Sequence, residues 1–336
     1  MSTVASGINF IRNHSMVDIL FREITGNNIP HVLIVRNADE FVDQSIGQFG
    51  NTAAFFGTGF LLQKVIDKLT KPMQKTLSQA GKSWFRFGKS FAIFSICGSL
   101  MYGMPFFRNY VTTKRTGTTD YAQMIGEKQR GEIDDKKLNA VTTNLLHKFF
   151  TTVAVGASLA AAFLATGITL AKKGAGMSGL LKFIHQKLSL PEGKFSKLRP
   201  WSSASFGVTP AFAGFFVGSR DGYERKEIAL RFAAFNFAFF ILPHTVERLI
   251  EKVTRSMKPG KLLGNHHNIA YMGKFFSSLV LCSAIPSILN IYLTRQRVKR
   301  DMAKSSITQF FADPATYTPL KREQLNFIAQ PSANYL

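Results

Sequence analysis

The distribution of charged residues along the chain restricts its fold more than any other sequence feature. The 42 Lys and Arg residues and 20 Asp and Glu residues leave six long stretches without a charge. These stretches are 44–63, 90–107, 149–171, 200–219, 232–246 and 275–294. A helix needs about 20 predominantly apolar residues to cross a bilayer core of about 30 Å. The pattern therefore predicts an all-α, polytopic membrane protein with about six transmembrane helices, of which the one near 232–246 is short.

Composition excludes several other classes of protein. Two cysteines, Cys97 and Cys282, are too few for a disulfide scaffold or a cysteine-rich zinc module. With 46% hydrophobic residues, including 32 Phe, the chain has enough apolar surface to fold, which argues against disorder. A net charge of +22 is compatible with nucleic-acid binding, but the basic residues are spread through all the loops and form no recognisable nucleic-acid-binding module. Nucleic acid is therefore not an expected partner.

The six stretches divide the chain into three parts. We expect an N-terminal extramembrane segment over 1–43, a membrane domain over 44–300 and a polar C-terminal tail over 301–336. The first 15 residues have neither the apolar core of a signal peptide nor the arginine-rich bias of a transit peptide. The internal segments are therefore expected to direct membrane insertion.

Two pairs of similar segments indicate a duplicated helical hairpin. QKVIDKLTK at 63–71 aligns with ERLIEKVTR at 247–255, and GKSFAIFSIC at 88–97 aligns with GKFFSSLVLC at 273–282. The two offsets are 184 and 185 residues, so they agree within one residue. Fixed offsets of this kind indicate internal repeats.

A third copy of the hairpin is suggested by a weaker match. AAFFGTGFLL at 53–62 resembles AAFLATGITL at 161–170, although 147–159 also resembles 273–285 in a conflicting alignment. The sequence thus predicts two or three repeated hairpins joined by amphipathic basic loops.

The loops inside the predicted hairpins are strongly basic. The segments 64–89, 172–199 and 247–274 together contain 20 basic and 4 acidic residues, whereas the rest of the chain contains 22 and 16. Because Lys and Arg are enriched in cytoplasmic loops, we expect these loops in the cytoplasm or matrix and both termini on the opposite side. A bacterial inner membrane or a mitochondrial-type inner membrane fits this prediction.

Two of these loops also contain apolar residues at helical spacing among the lysines. Val65, Ile66, Leu69 and Met73 form one such stripe, and GLLKFIHQKL at 179–188 forms another. Each is expected either to lie in an anionic membrane interface or to extend a transmembrane helix.

Few side chains within the predicted spans are suited to a polar path. The candidates are Asn51, His244, Asn236 and Asn290. The spans contain no carboxylate, Lys or Arg, so coupling to protons or sodium is not expected, although a path for a small neutral solute stays open. His244 lies at the rim of the shortest span and is alternatively a hydrated interfacial residue.

Other residues in and beside the spans are expected to position the helices. Trp84, Trp201 and Tyr271 each precede the second helix of a hairpin and are predicted to anchor it at the headgroup level. Small residues at every fourth position are predicted to let helices approach closely. These packing residues are Ser95, Ser99, Gly103, Ala154, Ser158 and Ala162.

The sequence offers no convincing motif for catalysis, a cofactor or a metal. The GxGxxG pattern at Gly174, Gly176 and Gly179 follows a predicted membrane helix instead of a strand, which argues against a dinucleotide site. His266 and His267 are adjacent, a spacing that does not direct two ligands from one helix face. We therefore expect neither enzyme activity nor a bound cofactor.

Three hairpins with basic loops on one face resemble the architecture of the mitochondrial carrier family. That family ends its odd-numbered helices with Pro, an acidic residue two positions later and a basic residue five positions later. In the first hairpin the three positions are occupied by Gly59, Leu61 and Lys64. In the second they are occupied by Gly167, Thr169 and Lys172, and in the third by Pro243, Thr245 and Arg248. Because the acidic residues are replaced, the ion-pair gate that the resemblance would imply is not expected.

Two functions are compatible with these features. In the first, packed hairpins hold basic loops and tails against anionic lipid headgroups, partner proteins or a second copy of the chain, as in a structural or scaffolding protein. In the second, the protein is a transporter or pore with a central path for a small solute between the hairpins. The scaffold requires no chemistry inside the membrane and is the preferred interpretation of the sequence.

Overall fold

The computed structural model of the protein describes residues 3–131, 134–174, 176–255 and 265–312, without the side chains of 243, 244 and 306–312. These residues form helices joined by turns and contain no strand, which confirms the all-α prediction. The α-helices, in chain order, are α1 Thr3–Asn13, α2 Ser15–Arg22, α3 Ile29–Leu33, α4 Ala38–Thr52, α5 Thr58–Thr76, α6 Gln79–Thr116, α7 Tyr121–Met124, α8 Asp135–Lys173, α9 Gly179–Leu188, α10 Pro200–Ser203, α11 Thr209–Val217, α12 Gly222–Phe235, α13 Leu242–Thr254, α14 His266–Ser278 and α15 Ile285–Ala312.

Three helices in the described part of the chain are long and apolar enough to cross a membrane. They cover Gln79–Thr116, Asp135–Lys173 and His266–Ser305. A bent pair, Gly222–Ile241 followed by Thr245–Thr254 at an angle of 41°, counts as a fourth if the two parts form one span.

These helices contain four of the six predicted spans. The predicted spans near 90–107, 149–171 and 275–294 lie inside the three long helices, and the short one near 232–246 lies in the bent pair. The stretches 44–63 and 200–219 form helices broken by wider turns. Six complete spans therefore stay a prediction, whereas three helices of spanning length are established.

The two long helices α6 and α8 pack against each other through glycine. A Cβ atom at Gly88 would lie 2.6 Å from the carbonyl oxygen of Phe163 and 2.7 Å from the Cα of Gly167. A Cβ atom at Gly156 would likewise lie within 2.4 Å of the Ser99 side chain. The two backbones approach this closely only because these residues have no side chain.

Local sequence signals determine where the long helices begin and end. The side chains of Ser78 and Asp134 accept hydrogen bonds from the amides of Gly81 and Lys136, at 3.1 and 3.0 Å, and so cap α6 and α8. At the other ends, Gly117 and Gly174 adopt φ values of 68° and 64°. This left-handed conformation, which favours glycine, stops each helix.

Wide π-helical turns interrupt several helices of the bundle, including the long helix His266–Ser305. In the described residues they cover Glu23–Asn28, Ala53–Gly57, Ala204–Val208, Asn236–Ile241 and Leu279–Ala284. The turn at Leu279–Ala284 packs against those at Glu23–Asn28 and Asn236–Ile241. The interruptions are therefore concentrated where several chain segments meet.

Side chains donate hydrogen bonds to backbone carbonyls within these turns. Arg22 Nη1 donates to the carbonyl of Phe239 at 3.1 Å, and Ser283 Oγ donates to that of Gly26 at 2.7 Å. A π-turn disturbs the regular pattern of backbone hydrogen bonds, so buried carbonyls within it need other donors. These side chains supply them.

The N-terminal helices pack into the same helical body as the rest of the chain. Met16, Ile19 and Val32 are buried, and Ser15 Oγ donates a hydrogen bond to the carbonyl of Leu198 at 3.3 Å. The described part of 1–43 thus contributes to the core. The domain boundary at residue 43 stays a prediction.

The segments that match in the sequence lie on two similar helix pairs. Helix α5 packs against α6, and α13 packs against α14. Lys89 lies 2.6 Å from Asp67 in the first pair, and Lys274 lies 3.5 Å from Glu247 in the second. Lys89 and Lys274 are separated by the repeat offset of 185 residues, but Asp67 aligns with Glu251 and not with Glu247. The two helix pairs therefore share a lysine position and not the same ion pair, and duplication stays a prediction.

Candidate functional site: a polar cavity beside a buried charge network

Eight charged side chains form a network inside the helical bundle. Their members are Arg36, Glu40, Asp43, Arg108, Arg220, Glu224, Glu227 and Arg231. The exposed fraction of each side chain is at most 15%. The four arginines balance the four carboxylates, so the network has no net charge. Buried ions are tolerated in proteins when they are paired and hydrogen-bonded in this way.

Glu227 is the centre of one half of the network. Its carboxylate lies 2.9 Å from Arg36 Nη1 and 3.4 Å from Arg231 Nη2. It also accepts hydrogen bonds from the hydroxyls of Tyr121, at 2.9 Å, and Thr294, at 2.5 Å. Helices α7, α12 and α15 and the segment before α4 are thereby joined at one carboxylate.

The other half joins α4, α6 and α12. Arg108 lies 3.4 Å from Asp43 and forms an ion pair with Glu224. Arg220 pairs with the opposite oxygen of Asp43, and its backbone amide donates to Glu224 at 2.6 Å. Asp43 and Glu224 are each shared by two arginines, so removing any one member leaves a buried charge without its full set of partners.

Sequence reasoning missed this network because its members lie outside the charge-free stretches. Arg108 follows the stretch 90–107 by one residue, and Arg231 precedes 232–246 by one residue. Glu224, Glu227 and Arg231 recur at intervals of three and four, which places them on one helix face. That spacing indicated that the three charges share a face, but not that the face is buried.

A cavity of about 130 Å³ adjoins the network. Its polar lining includes Glu23, His31, Gln44, Asn51, Arg108 and Arg231. Its apolar lining includes Met101, Ala211, Phe212, Phe215, Phe232 and Phe235. The cavity therefore has a mixed lining of polar and aromatic side chains, a common composition of sites for small molecules.

Three polar atoms on residues that line the cavity have no hydrogen-bond partner among the described protein atoms. They are Nε2 of His31, Oδ1 of Asn51 and Nε of Arg231. His31 and Asn51 are only 3% and 8% exposed. A buried polar group without a partner destabilises a fold by about 1–3 kcal/mol, so such groups are usually satisfied.

The hydrogen bonding of His31 identifies its tautomer. Nδ1 lies 2.8 Å from the carbonyl oxygen of Asn27, which can only accept, so Nδ1 donates. Burial lowers the pKa of His31 to about 3, and the charge of Arg231 acts in the same direction. The ring is therefore neutral near pH 7, and Nε2 carries the lone pair.

Glu23 adds an ionisable carboxyl group to the lining. Burial raises the pKa of Glu23 to about 7, against the opposing effects of the hydrogen bond from Asn27 and the charge of Arg22. Asn27 Nδ2 donates to Glu23 Oε1 at 3.1 Å. The carboxyl thus changes its charge in the physiological pH range.

A second, smaller group of charges lies between the N-terminus and α14. Asp18 contacts Arg22 at 3.2 Å and Lys274 at 3.3 Å, and it accepts a hydrogen bond from Tyr271 Oη at 2.8 Å. Arg22 also lies over the ring of Phe239, 4.3 Å from its centre. This group ties α2 to α14 and does not line the cavity.

The residues predicted to form a polar path are not all brought together. Asn51 lines the cavity, whereas Asn236 donates to the carbonyl of Phe232 within its own helix, at 2.9 Å. Asn290 is buried and donates to the carbonyl of Glu227 at 3.2 Å, beside the charge network. The side chain of His244 lies outside the described residues. Charged side chains from outside the predicted spans, Arg108, Arg231 and Glu23, also line this cavity.

The three predicted aromatic anchors have different surroundings. Trp201 is 79% exposed, whereas Trp84 is buried in the core and Tyr271 is 1% exposed with its hydroxyl on Asp18. Their role at the headgroup level stays a prediction.

The predicted packing residues fall into two groups. Ser99 and Gly103 of α6 face α8, where Gly156 and Phe149 lie against them, and Ser95 and Ser99 also line a groove of about 420 Å³. Ala154, Ser158 and Ala162 are exposed on the outer face of α8. The contact face of α8 is instead the one with the buried residues Gly156, Ala160 and Gly167.

One group of side chains in the described residues has the composition of a metal site. The ligand atoms of Glu251, His266 and His267 all lie within 4.8 Å of one another, and His267 Nδ1 is 3.1 Å from Glu251 Oε1. The two histidines occupy the first turn of α14, where the helix dipole opposes a bound cation. The hydrogen bond to Glu251 accounts for the arrangement without an ion.

Comparisons with protein-family models, with curated proteins and with solved structures give no match for this chain. Its function is therefore inferred from the geometry and chemistry of the site.

Proposed function

We propose that this protein is a multi-pass integral membrane protein that binds a small polar solute in its central cavity and transports it. The observation that supports this most directly is the cavity of about 130 Å³, whose lining combines the polar residues Glu23, His31, Asn51 and Arg231 with aromatic side chains. Sites for small molecules commonly combine a mainly apolar lining with a few polar groups.

The position of the cavity agrees with a role in transport. Asn51, Met101, Ala211 and Phe232 each come from a different charge-free stretch of the sequence. In the proposed arrangement of six spans, these stretches cross the membrane together and surround the solute. Transporters commonly bind their substrates between such segments and near interrupted helices. The π-helical turns at Glu23–Asn28 and Ala204–Val208, which both contribute to the lining, fit that pattern.

Uptake into proteoliposomes tests this proposal. A panel of radiolabelled sugars, polyols, amino acids, carboxylates and amines is offered to vesicles that contain the full chain. Ala211→Leu adds volume to the cavity wall and is expected to abolish uptake of the accepted solute. Val217→Leu, on the exposed side of the same helix, is the matched control and is expected to leave uptake unchanged. Uptake of no solute, or equal effects of both substitutions, would contradict the proposal.

A scaffolding role in contact with anionic lipids is the second candidate function. It is favoured by α9, which has no buried residue and exposes Leu180 and Phe183 beside Lys182 and Lys187. Such a helix is suited to a bilayer surface with negative headgroups. In this proposal α9 and the other basic loops lie on the cytoplasmic or matrix face.

Lipid retention distinguishes the two functions. If scaffolding is the main role, the double substitution Lys182→Gln and Lys187→Gln should strip phosphatidylglycerol or cardiolipin from the purified protein. Solute uptake should then be absent from the wild type. If transport is the main role, uptake should persist in vesicles of neutral lipid.

A further inference from the structure

A groove on the outer surface of the bundle lies between α6, α8 and α11. Its walls include two rows of side chains on neighbouring helices, Ser95, Ser99 and Tyr102 of α6 and Thr152, Val155 and Leu159 of α8. Within each row the residues recur at intervals of three and four, so they share one helix face. Both rows lie inside the charge-free stretches 90–107 and 149–171. The groove is therefore at membrane depth in the proposed arrangement of spans.

The walls of this groove suit an apolar occupant. The hydroxyls of Ser95 and Thr152 each donate to a carbonyl oxygen four residues earlier in their own helix, at 2.8 Å. These hydroxyls are thus satisfied without a ligand. Val155 and Leu159 are 52% and 48% exposed, so the groove opens away from the bundle. In a membrane, that open side faces lipid.

A cation lies at one end of the groove. Lys148 precedes Thr152 by four residues and so lies on the same face of α8. Its Nζ is 6.0 Å from the centre of the Phe106 ring on α6, and that ring contacts Tyr102 with centres 5.9 Å apart. The Lys148 side chain is exposed and forms no ion pair among the described residues. An anionic group at this end of the groove would complement its charge.

The length of the groove corresponds to one leaflet of a bilayer. Leu159 follows Lys148 by 11 residues, which is about 17 Å along a helix that rises about 1.5 Å per residue. A hydrocarbon core of about 30 Å gives about 15 Å for each leaflet. Lys148 also directly precedes the charge-free stretch that begins at residue 149. In the proposed membrane arrangement its ammonium group therefore lies at the headgroup level.

We infer that the groove binds one anionic phospholipid, with an acyl chain between α6 and α8 and the phosphate on Lys148. The apolar walls cover the chain, and the ammonium group makes a charge-assisted hydrogen bond to a phosphate oxygen. This inference rests on the membrane embedding in the proposed function and adds a lipid site to it. The site differs from α9, which follows the opposite end of α8.

Native mass spectrometry of the delipidated full chain in detergent tests the inference. The protein is offered dioleoyl phosphatidylglycerol or dioleoyl phosphatidylcholine at equal concentration, and the fraction of chains that retain one lipid is compared. Phosphatidylglycerol should be retained about fivefold more strongly, which is the effect of one lysine near an anionic headgroup. Glycerol phosphate carries the charge without the acyl chain and should not compete. Equal retention of the two phospholipids, or competition by glycerol phosphate, would overturn the inference.

Variants of two lysines on α8 test the headgroup contact. Lys148→Gln should reduce the retention of phosphatidylglycerol to that of phosphatidylcholine, whereas Lys148→Arg should preserve the preference. Lys137→Gln is the matched control, because it removes the same charge from an exposed position of α8 outside the groove. Equal effects of Lys148→Gln and Lys137→Gln would show that the lysine at the groove has no special role and would overturn the assignment.

Variants of two exposed valines test the contact with the acyl chain. Val155→Trp fills the groove at mid-length and should cause loss of both phospholipids. Val280→Trp adds the same side chain at an exposed position of another long helix and should leave retention unchanged. Equal retention by the two variants would contradict the placement of the chain. A dimer of the protein that only Val155→Trp dissociates would assign the groove to a second copy instead.

The double substitution Lys182→Gln and Lys187→Gln separates this lipid from any that α9 binds. It should leave one phosphatidylglycerol on the protein. Loss of that lipid in the double variant but not in Lys148→Gln would place it on α9 and overturn the inference.

The failure of this inference and of the proposed function can be told apart. If a solute is taken up in a manner sensitive to Ala211→Leu but phosphatidylglycerol is not preferred, the lipid site is wrong and transport stands. If the preference is present and sensitive to Lys148→Gln but no solute is taken up, transport is wrong and the lipid site stands.

Discussion

At the scale of single residues, Glu227 illustrates how a charge is kept inside this protein. Arg36 and Arg231 supply the opposite charge, and the hydroxyls of Tyr121 and Thr294 donate to the remaining oxygen lone pairs. A buried ion that loses a partner has neither water nor a counterion to replace it. The stability of the bundle should therefore depend strongly on each member of the network.

Glu227→Gln should lower the free energy of unfolding by about 3–5 kcal/mol, because Arg36 and Arg231 then lose their shared carboxylate. Thermal unfolding in detergent measures the effect. Glu192→Gln is the control, since Glu192 forms an exposed ion pair with Lys197 whose loss should leave the unfolding temperature nearly unchanged. Similar unfolding temperatures of the two variants would contradict a stabilising buried network.

Glu23 should make the stability of the protein decrease as the pH rises. Its pKa is about 7 in the fold and about 4.5 when it is freely hydrated, so between these values the folded state holds a proton that the unfolded state has released. Stability from this group is full below pH 4.5 and is lost as the pH rises to about 7, by up to about 1.4 kcal/mol per pH unit.

Comparison of the wild type with Glu23→Gln isolates this effect. His31 has the opposite sign, because its pKa falls from 6.5 to about 3 on folding and stability is lost as the pH falls below 6.5. Since His31 is present in both proteins, its contribution cancels in the difference. Melting temperatures from pH 4.5 to 8 should show the wild type losing stability relative to Glu23→Gln. A difference that does not change with pH would show that Glu23 is not buried as described.

At the scale of helices, the contact between α6 and α8 depends on pairs of glycines. Gly88→Ala places a methyl group 2.6 Å from the carbonyl oxygen of Phe163, so the helices must separate. Overpacking of this kind destabilises a protein by about 1–3 kcal/mol. Gly57→Ala is the control, because a Cβ atom there meets nothing within 4 Å. Thermal unfolding should distinguish the two variants, and equal stability would contradict the close approach.

The sequence predicted the long helices better than their contacting faces. The absence of charged residues from 90–107 and 149–171 correctly predicted the apolar parts of α6 and α8. It did not indicate which face of α8 packs, because small residues at similar spacing occur on two faces. Ala154 and Ser158 lie on the exposed face, whereas Gly156 and Ala160 lie on the buried one. Only the position of the partner helix decides between them.

The π-helical turns had no recognisable signal in the sequence. Ala53–Gly57 and Asn236–Ile241 have the same apolar, aromatic composition as the regular helices around them. These turns differ from the regular helices in the tertiary contacts that they make. Arg22 reaches the carbonyl of Phe239, and Cys97 reaches that of Phe55, from distant parts of the chain. A local pattern cannot report such donors.

At the scale of the whole molecule, charge predicts a topology but did not predict which charged residues are buried. Most of the excess of basic over acidic residues lies in the predicted hairpin loops. The basic residues outside these loops include four members of the charge network, Arg36, Arg108, Arg220 and Arg231. Of the residues predicted for a polar path, only Asn51 lines the cavity, and the charged residues of the lining lie outside the charge-free stretches. Burial of those residues becomes favourable only when their charges meet their partners in three dimensions.

The predicted orientation can be checked by labelling from one side of the membrane. Lys187→Cys lies on α9 and should react with an impermeant thiol reagent only from the cytoplasmic or matrix face. Arg130→Cys lies in the connection between α7 and α8 and should react only from the opposite face. Both side chains are exposed, so accessibility depends on the side of the membrane. Reaction of both from the same face would contradict the orientation.

Thiol labelling of two further positions tests the central claim, a polar cavity within a membrane-embedded bundle. In a chain with Cys97→Ser and Cys282→Ala, Ala211→Cys lies at the cavity wall and Ala154→Cys on the exposed face of α8. In proteoliposomes, a charged thiol reagent should modify Ala211→Cys and leave Ala154→Cys unmodified, because lipid covers the outer face of α8. Modification of Ala154→Cys without modification of Ala211→Cys would contradict both the membrane and the cavity.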